Sequence, residues 1–239
     1  MAGPAASPEV IKAIADYLRA KHFYPTPAWL ASFMASTRPN TPMPALQQTA
    51  LFRLLSSDLT SSVQRTPPIS IFPPDISNPE IKERKLTGPV AVQVLDVEDI
   101  GRSRWSQVEA IEAQERGEMT KGREIIRVVA DESTTDGEPG AQANTSTGAS
   151  GPFMFLLQDA AGTKAFAFDM SPMANVNMQK LSIGAKLVLR DLLVARGVVL
   201  LAPNGVEVLG GKVEAWDTKW KAERKAALKG KADLGGEDG

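Results

Sequence analysis

Residues 190–211, RDLLVARGVVLLAPNGVEVLGG, set two apolar runs on either side of Gly197, add a Pro-Asn-Gly turn, and end a third short run on two glycines. Strand-forming residues punctuated this closely by turn formers specify a tightly connected small β-structure. Two earlier segments have the same texture. VAVQVLDVEDI, from Val90, alternates as a strand, and FMFLLQDAAGTKAFAFD, from Phe153, reads as a hairpin turning around residues 160–163. Together the segments predict about five strands, with an irregular or helical piece at 170–184 between the third and the fourth. Five strands interrupted once fit a small closed barrel of the oligonucleotide/oligosaccharide-binding (OB) type. A fragment of a β-sandwich is the alternative.

Helical patterns occupy the first sixty residues. SPEVIKAIADYLRA places Ser7 at an N-cap and Pro8 at the first helical position, with Val10, Ile14, Tyr17 and Leu18 on one face. TPAWLASFMAS repeats the device with Thr26 and Pro27, and PALQQTALFRLLSSDL stripes Leu46, Ala50, Leu51, Leu54 and Leu55 at helical spacing. Short amphipathic helices bury such faces against each other or against the downstream strands. The predicted fold class is therefore α+β, mainly β. It comprises a three-helix bundle at 1–65, a Pro-rich connector at 66–86, a five-stranded OB barrel at 87–211, and a basic helix with its tail at 212–239. Five prolines within 66–80 mark the connector.

Between the first two predicted strands lies an insertion at 101–152. It opens with a helix, SRWSQVEAIEAQERG, in which Ser106 and Glu109 fit a capping box and Gly117 a stop. EMTKGREIIRVV comes next, and then an acidic tract rich in Gly, Ser and Thr whose composition predicts disorder. Insertions of this length in compact domains are usually functional or disordered. The apolar cluster REIIRVV is costly in water and points to a docking groove, or to an extra strand on the barrel.

Composition excludes several classes of chemistry. With 27 basic and 28 acidic residues the chain has no global affinity for nucleic acid, so any such site must be local. The absence of cysteine removes disulfides and thiolate metal sites, and with no charged-then-apolar leader it predicts a cytosolic or nuclear protein. His22 is the single histidine, which argues against a Ser/His/Asp triad and excludes a multi-histidine metal site. GVEVLGGK misses the phosphate-loop spacing by one residue and has Val213 where a magnesium-binding hydroxyl belongs. Glu98 and Asp99 read as solvated turn residues. No nucleophile and base can be named, so the chain is expected not to be an enzyme and to need no cofactor or metal.

Two surfaces remain as candidates for single-stranded nucleic acid. Phe153, Phe155, Phe166 and Phe168 could stack bases, yet Met154, Leu156, Ala165 and Ala167 make their strands apolar on both faces, which predicts burial on both sides, one under the barrel core and the other under the helical bundle or a protein partner. Residues 212–231 carry seven basic and three acidic residues around Trp216 and Trp220. The plainer reading is a solvated helix with its Trp face on the barrel.

The segments ARGVVLLAPNGVEVLGGKVEAW, YPTPAWLASFMAS, LLSSDL and VEDIGRSRWSQVEAI together resemble the N-terminal region of the RecQ-mediated genome instability protein 1 family, over roughly residues 8–216. The resemblance implies a helical element bracing an OB barrel that docks on topoisomerase III, a type IA enzyme. It also implies that the insertion reaches into the enzyme's gate, favouring decatenation and double Holliday junction dissolution together with a RecQ-type helicase in the nucleus. It further implies a chain that stops after the first barrel, as in shorter fungal forms. Carried onto this sequence, the gate contacts would be Trp105, Val108, Met119, Lys121, Arg123, Ile125 and Ile126. Two other readings stay open: an autonomous single-strand-binding module using Arg102, Arg104, Lys219, Lys221, Arg224 and Lys225 for phosphate contacts, and a passive scaffold between helicase and topoisomerase.

Overall fold

The computed structural model describes residues 7–38, 40–65, 70–117, 151–171, 173, 176, 178 and 180–234. The chain divides into two compact units. The first takes Met1–Gly101 and Gly151–Ala222, the second Arg102–Ser150 and Glu223–Gly239.

In the first unit, α1 (Pro8–Arg19) starts on Ser7, whose hydroxyl accepts from the Glu9 amide, and α2 (Pro27–Ala35) starts on Thr26, which accepts from the Trp29 amide at 3.2 Å. Each cap satisfies an otherwise orphaned N–H, and each proline stands where its missing donor costs nothing. α3 (Met43–Leu55) has Pro42 at its N-cap and no side-chain cap, and a single turn, α4 (Leu59–Ser62), begins on Asp58. Ile14, Leu18, Phe23, Leu54 and Leu59 are wholly buried in the resulting helical core. Burial of each such side chain contributes about 1.5–3 kcal/mol.

Eight strands, rather than five, form one sheet among the described residues: β1 (Glu83–Leu86), β2 (Val90–Asp99), β3 (Phe153–Asp159), β4 (Lys164–Asp169), β5 (Lys186–Leu189), β6 (Leu192–Ala195), β7 (Val198–Leu201) and β8 (Val206–Gly210). Their order is β1-β6-β7-β4-β3-β2-β5-β8, antiparallel except where β4 meets β7. The long β2 serves two neighbours, pairing with β5 near its start and with β3 along most of its length, with a register break between Val94 and Asp96. β1 falls within the predicted connector, and β5 precedes the segment that announced the last strands. Both are only four residues long, too short to show a clear period of two.

The connector is also more than a spacer. Phe72 and Ile76 are each 1% exposed and sit in the barrel core, and the Phe72 amide donates to Asp159 Oδ2 at 2.7 Å. Gly197 (φ +82°) turns the chain between β6 and β7, where a Cβ would fall 2.6 Å from the Ser77 carbonyl oxygen. Gly211 (φ +82°) leaves the sheet against the end of α3, where a Cβ would fall 2.5 Å from the Leu55 carbonyl oxygen. The glycines of the opening segment thus permit two close backbone approaches.

A buried polar cluster ties the helices to the sheet. Gln93, fully buried on β2, accepts from the Leu59 amide at 3.0 Å and donates to Asp58 Oδ1 at 2.7 Å and to Gln158 Oε1 at 3.0 Å. Burial raises the Asp58 pKa, but hydrogen bonds from Gln93 and Thr60 outweigh it and hold the carboxyl below its ordinary range. Lys186, also fully buried, donates to the Gly184 carbonyl at 2.6 Å; burial lowers its pKa to about 8 despite the attraction of Asp58.

α6 (Glu214–Leu234) begins in the first unit, where Trp216 and Trp220 pack against the barrel core as the sequence predicts. The Trp220 indole donates to Asp96 Oδ1 at 2.7 Å. In the second unit, α5 (Arg104–Glu115) starts on Ser103, which accepts from the Ser106 amide at 3.1 Å. The cap is therefore Ser103, not Ser106. A hydroxyl three residues earlier satisfies the same geometry without a glutamate partner.

Candidate protein-docking site

Alternation along β3, β4, β7 and β6 sends one set of side chains into the core and the other outward. Phe155, Leu157, Ala165, Ala167, Val194 and Val199 are the inward set. The outward set forms two cross-strand rows. Met154 stands opposite Phe168, Phe168 opposite Leu200, and Leu200 opposite Leu193; Leu156 stands opposite Phe166, Phe166 opposite Val198, and Val198 opposite Ala195. Phe166 is 55% exposed, Leu193 37%, and Met170, just past β4, 61%. The rows end on charge: Glu98 and Asp96 pair with Met154 and Leu156 on one side, and Lys85 and Glu83 with Leu193 and Ala195 on the other. A contiguous apolar field with a polar rim is the pattern of a protein–protein interface.

This overturns part of the sequence expectation. Phe153 and Phe155 are buried, as predicted, but Phe166 is exposed and Phe168 only half-buried. Their strand alternates Ala and Phe, and the small alanines take the inward positions beside Phe155 and Val199. Hydropathy cannot distinguish the two faces when both are apolar. Cross-strand register does.

The insertion leaves the same sheet between β2 and β3. Those strands remain paired to their ends, Asp99 opposite Phe153, and the Ile100 amide donates to the Pro152 carbonyl at 3.0 Å. Asp99 is 1% exposed and accepts from the Gly101 amide at 3.0 Å, so it fastens this neck rather than standing in solvent as predicted. Of the predicted gate residues, Trp105 is half-exposed on α5 and Val108 is buried at 1% on the same helix. Val108 thus supports α5 from within and offers no surface to a partner. Met119, Lys121, Arg123, Ile125 and Ile126 lie outside the described residues.

The predicted phosphate contacts are largely engaged within the chain. Lys221 pairs with Asp217 at 2.6 Å, and Lys225 with Glu115 at 2.6 Å. Arg224 donates to Gln107 Oε1 at 3.3 Å, and Arg104 to the Lys231 carbonyl at 3.3 Å. Lys229 adds a bridge to Glu112 at 2.7 Å, which holds that carboxyl below its ordinary pKa. Lys219 is exposed on α6, and Arg102 is exposed before α5. The acidic face of α5 thus offsets much of the charge that makes α6 look like a nucleic-acid helix.

His22 has positive φ and meets the Arg190 guanidinium; burial, then Arg190, lowers its pKa. Among the described residues no group of three or more His, Asp or Glu could hold a metal, and no helix is long and apolar enough to cross a membrane.

Comparison with known proteins agrees with this architecture. Residues 72–224 match the model of the RMI1 N-terminal OB-fold domain, and residues 18–62 that of the RMI1 N-terminal helical domain. The RecQ-mediated genome instability protein 1 of Schizosaccharomyces pombe is 28% identical over 222 residues, 90% of this chain and 85% of the yeast protein. With an OB-fold match across most of its length and a helical match before it, the chain belongs to the RecQ-mediated genome instability protein 1 family.

Proposed function

We propose that this protein is a non-catalytic, nuclear subunit of a RecQ helicase–topoisomerase III complex. It docks on the type IA topoisomerase through the outer face of β3, β4, β7 and β6, and presents the insertion 101–152 to the enzyme's gate. The observation that carries this reading is the pair of apolar rows bounded by Asp96, Glu98, Lys85 and Glu83 on the sheet from which the insertion emerges. The insertion acts by binding one gate conformation better than the other, which shifts a population without bond chemistry. A difference of about 1–3 kcal/mol changes that equilibrium roughly 5–150-fold, enough to favour decatenation and double Holliday junction dissolution.

The test is topoisomerase-dependent decatenation with the intact chain and with residues 105–150 replaced by a short Gly/Ser linker. Binding to the enzyme should survive the replacement, and stimulation should be lost. Full stimulation by the linker variant would leave only a scaffold.

Single-strand binding is the second reading, favoured by the exposure of Phe166. The carboxylates at both ends of the apolar rows and the ion pairs along α6 weigh against it, because phosphate binding needs uncompensated cations. Tight, steeply salt-dependent binding of DNA by the isolated chain would establish it.

A further inference from the structure

A second recognition surface lies on the helical layer, independent of the topoisomerase reading. A groove of about 450 Å³ opens between α1 and the start of α2, and Ile11, Ala15, Pro27 and Leu30 contribute apolar lining. Its wall is firmly held. Pro25 bridges to Val63, the Thr26 amide donates to the Ser62 carbonyl at 2.9 Å, and the Gln64 side chain donates to the Pro25 carbonyl at 2.8 Å. The two charged residues of the lining, Lys12 and Arg19, are both basic and both exposed. Lys12 makes no ion pair with any described residue, and Arg19 has only the exposed Asp16, at 2.7 Å.

Lys12 and Arg19 stand seven residues apart on α1, so about two helical turns, roughly 10 Å, separate them. An occupant that satisfies both must carry two anionic groups at that separation with apolar matter between them. A fatty acid has one carboxylate. A peptide with acidic residues flanking two or three large apolar side chains meets the requirement, as a two-turn helix or as a short extended segment.

We propose that the α1–α2 groove is a docking site for a short acidic, apolar-anchored segment of a partner protein. The apolar side chains fill the floor over Ala15 and Leu30, and the flanking carboxylates pair with Lys12 and Arg19.

The probe is a phage-displayed library of random 16-residue peptides selected on the intact full chain, with the strongest binders then synthesised and measured by fluorescence anisotropy. Two variants keep the readout specific, since each alters exposed side chains: Ala31→Trp, which fills the groove, and the double variant Lys12→Glu, Arg19→Glu. Both should melt within a few degrees of the parent. The expected result is enrichment of peptides combining Asp or Glu with Leu, Phe or Trp, whose affinity falls at least tenfold in each variant. Failure to enrich any peptide would overturn the proposal, as would peptides that bind the filled groove equally well. Peptides blocked by Ala31→Trp but indifferent to charge reversal would overturn it too, by showing an unspecific apolar cleft.

Discussion

The C-terminal half of α6 and the outer face of β3, β4, β7 and β6 each reverse what their composition suggests. The helix is conspicuously basic, yet Lys225 and Lys229 face Glu115 and Glu112 on α5. The strands are conspicuously apolar, yet only one of their two faces is core, and Phe166 stands 55% exposed on the other. Charge counted along one segment misleads because its partners lie more than a hundred residues away. Apolarity counted along a strand misleads because burial belongs to a face.

The largest effect expected from this contrast separates the two faces of the sheet. Phe155→Ala should destabilise the protein by about 3–5 kcal/mol through an empty core cavity. Phe166→Ala, one strand away and facing outward, should cost no more than about 1 kcal/mol. Urea denaturation of both variants measures the difference, and equal losses would mean that the outer face is core after all.

A buried cation sharpens the contrast with the exposed lysines of α6. The Lys186 pKa, held near 8 in the fold against 10.5 for the free side chain, makes the unfolded chain bind the extra proton between those values. Stability therefore rises with pH across that window, by up to about 3 kcal/mol from this one group, and the penalty is fully present below pH 8. Lys186→Met removes it. The stability of the variant relative to the parent should be most favourable at pH 7 and should decline by that amount toward pH 10.5. A gap that does not change with pH would mean that Lys186 is solvated.

The smallest effect belongs to the α5–α6 ion pairs. Lys225→Gln with Lys229→Gln should lower the melting temperature only marginally, and less at 1 M salt, because solvent-accessible pairs are weak and screened. If these lysines are mainly ion-pair partners, DNA binding by the isolated chain should change less than twofold. A tenfold loss, measured by fluorescence anisotropy, would restore α6 as a nucleic-acid helix.

Much of this molecule is legible in its sequence, for reasons that particular residues make plain. Ser7-Pro8 and Thr26-Pro27 announce helix starts because cap and proline act within a few residues of each other. Gly197 and Gly211 mark turns for the same local reason. β1 and β5 are held by long-range pairing with β6, β2 and β8, which no window of four residues displays. Phe72 and Ile76 enter the barrel core from a proline-rich stretch whose composition speaks only of extension. The two outward apolar rows follow from the register that sets Phe166 beside Leu156 and Val198. The alternation of Ala and Phe in KAFAFD was the available signal: small residues on one face of a strand imply a crowded interior, and large ones on the other an unfilled surface.

The most direct test of the proposed docking surface is the affinity of topoisomerase III for the full chain carrying Phe166→Asp and Leu200→Asp, with melting temperature as the control for folding. Two carboxylates in the centre of the apolar rows should weaken binding at least a hundredfold while the fold melts within a few degrees of the parent. Unchanged affinity in a folded double variant would contradict the assignment of that face to the topoisomerase.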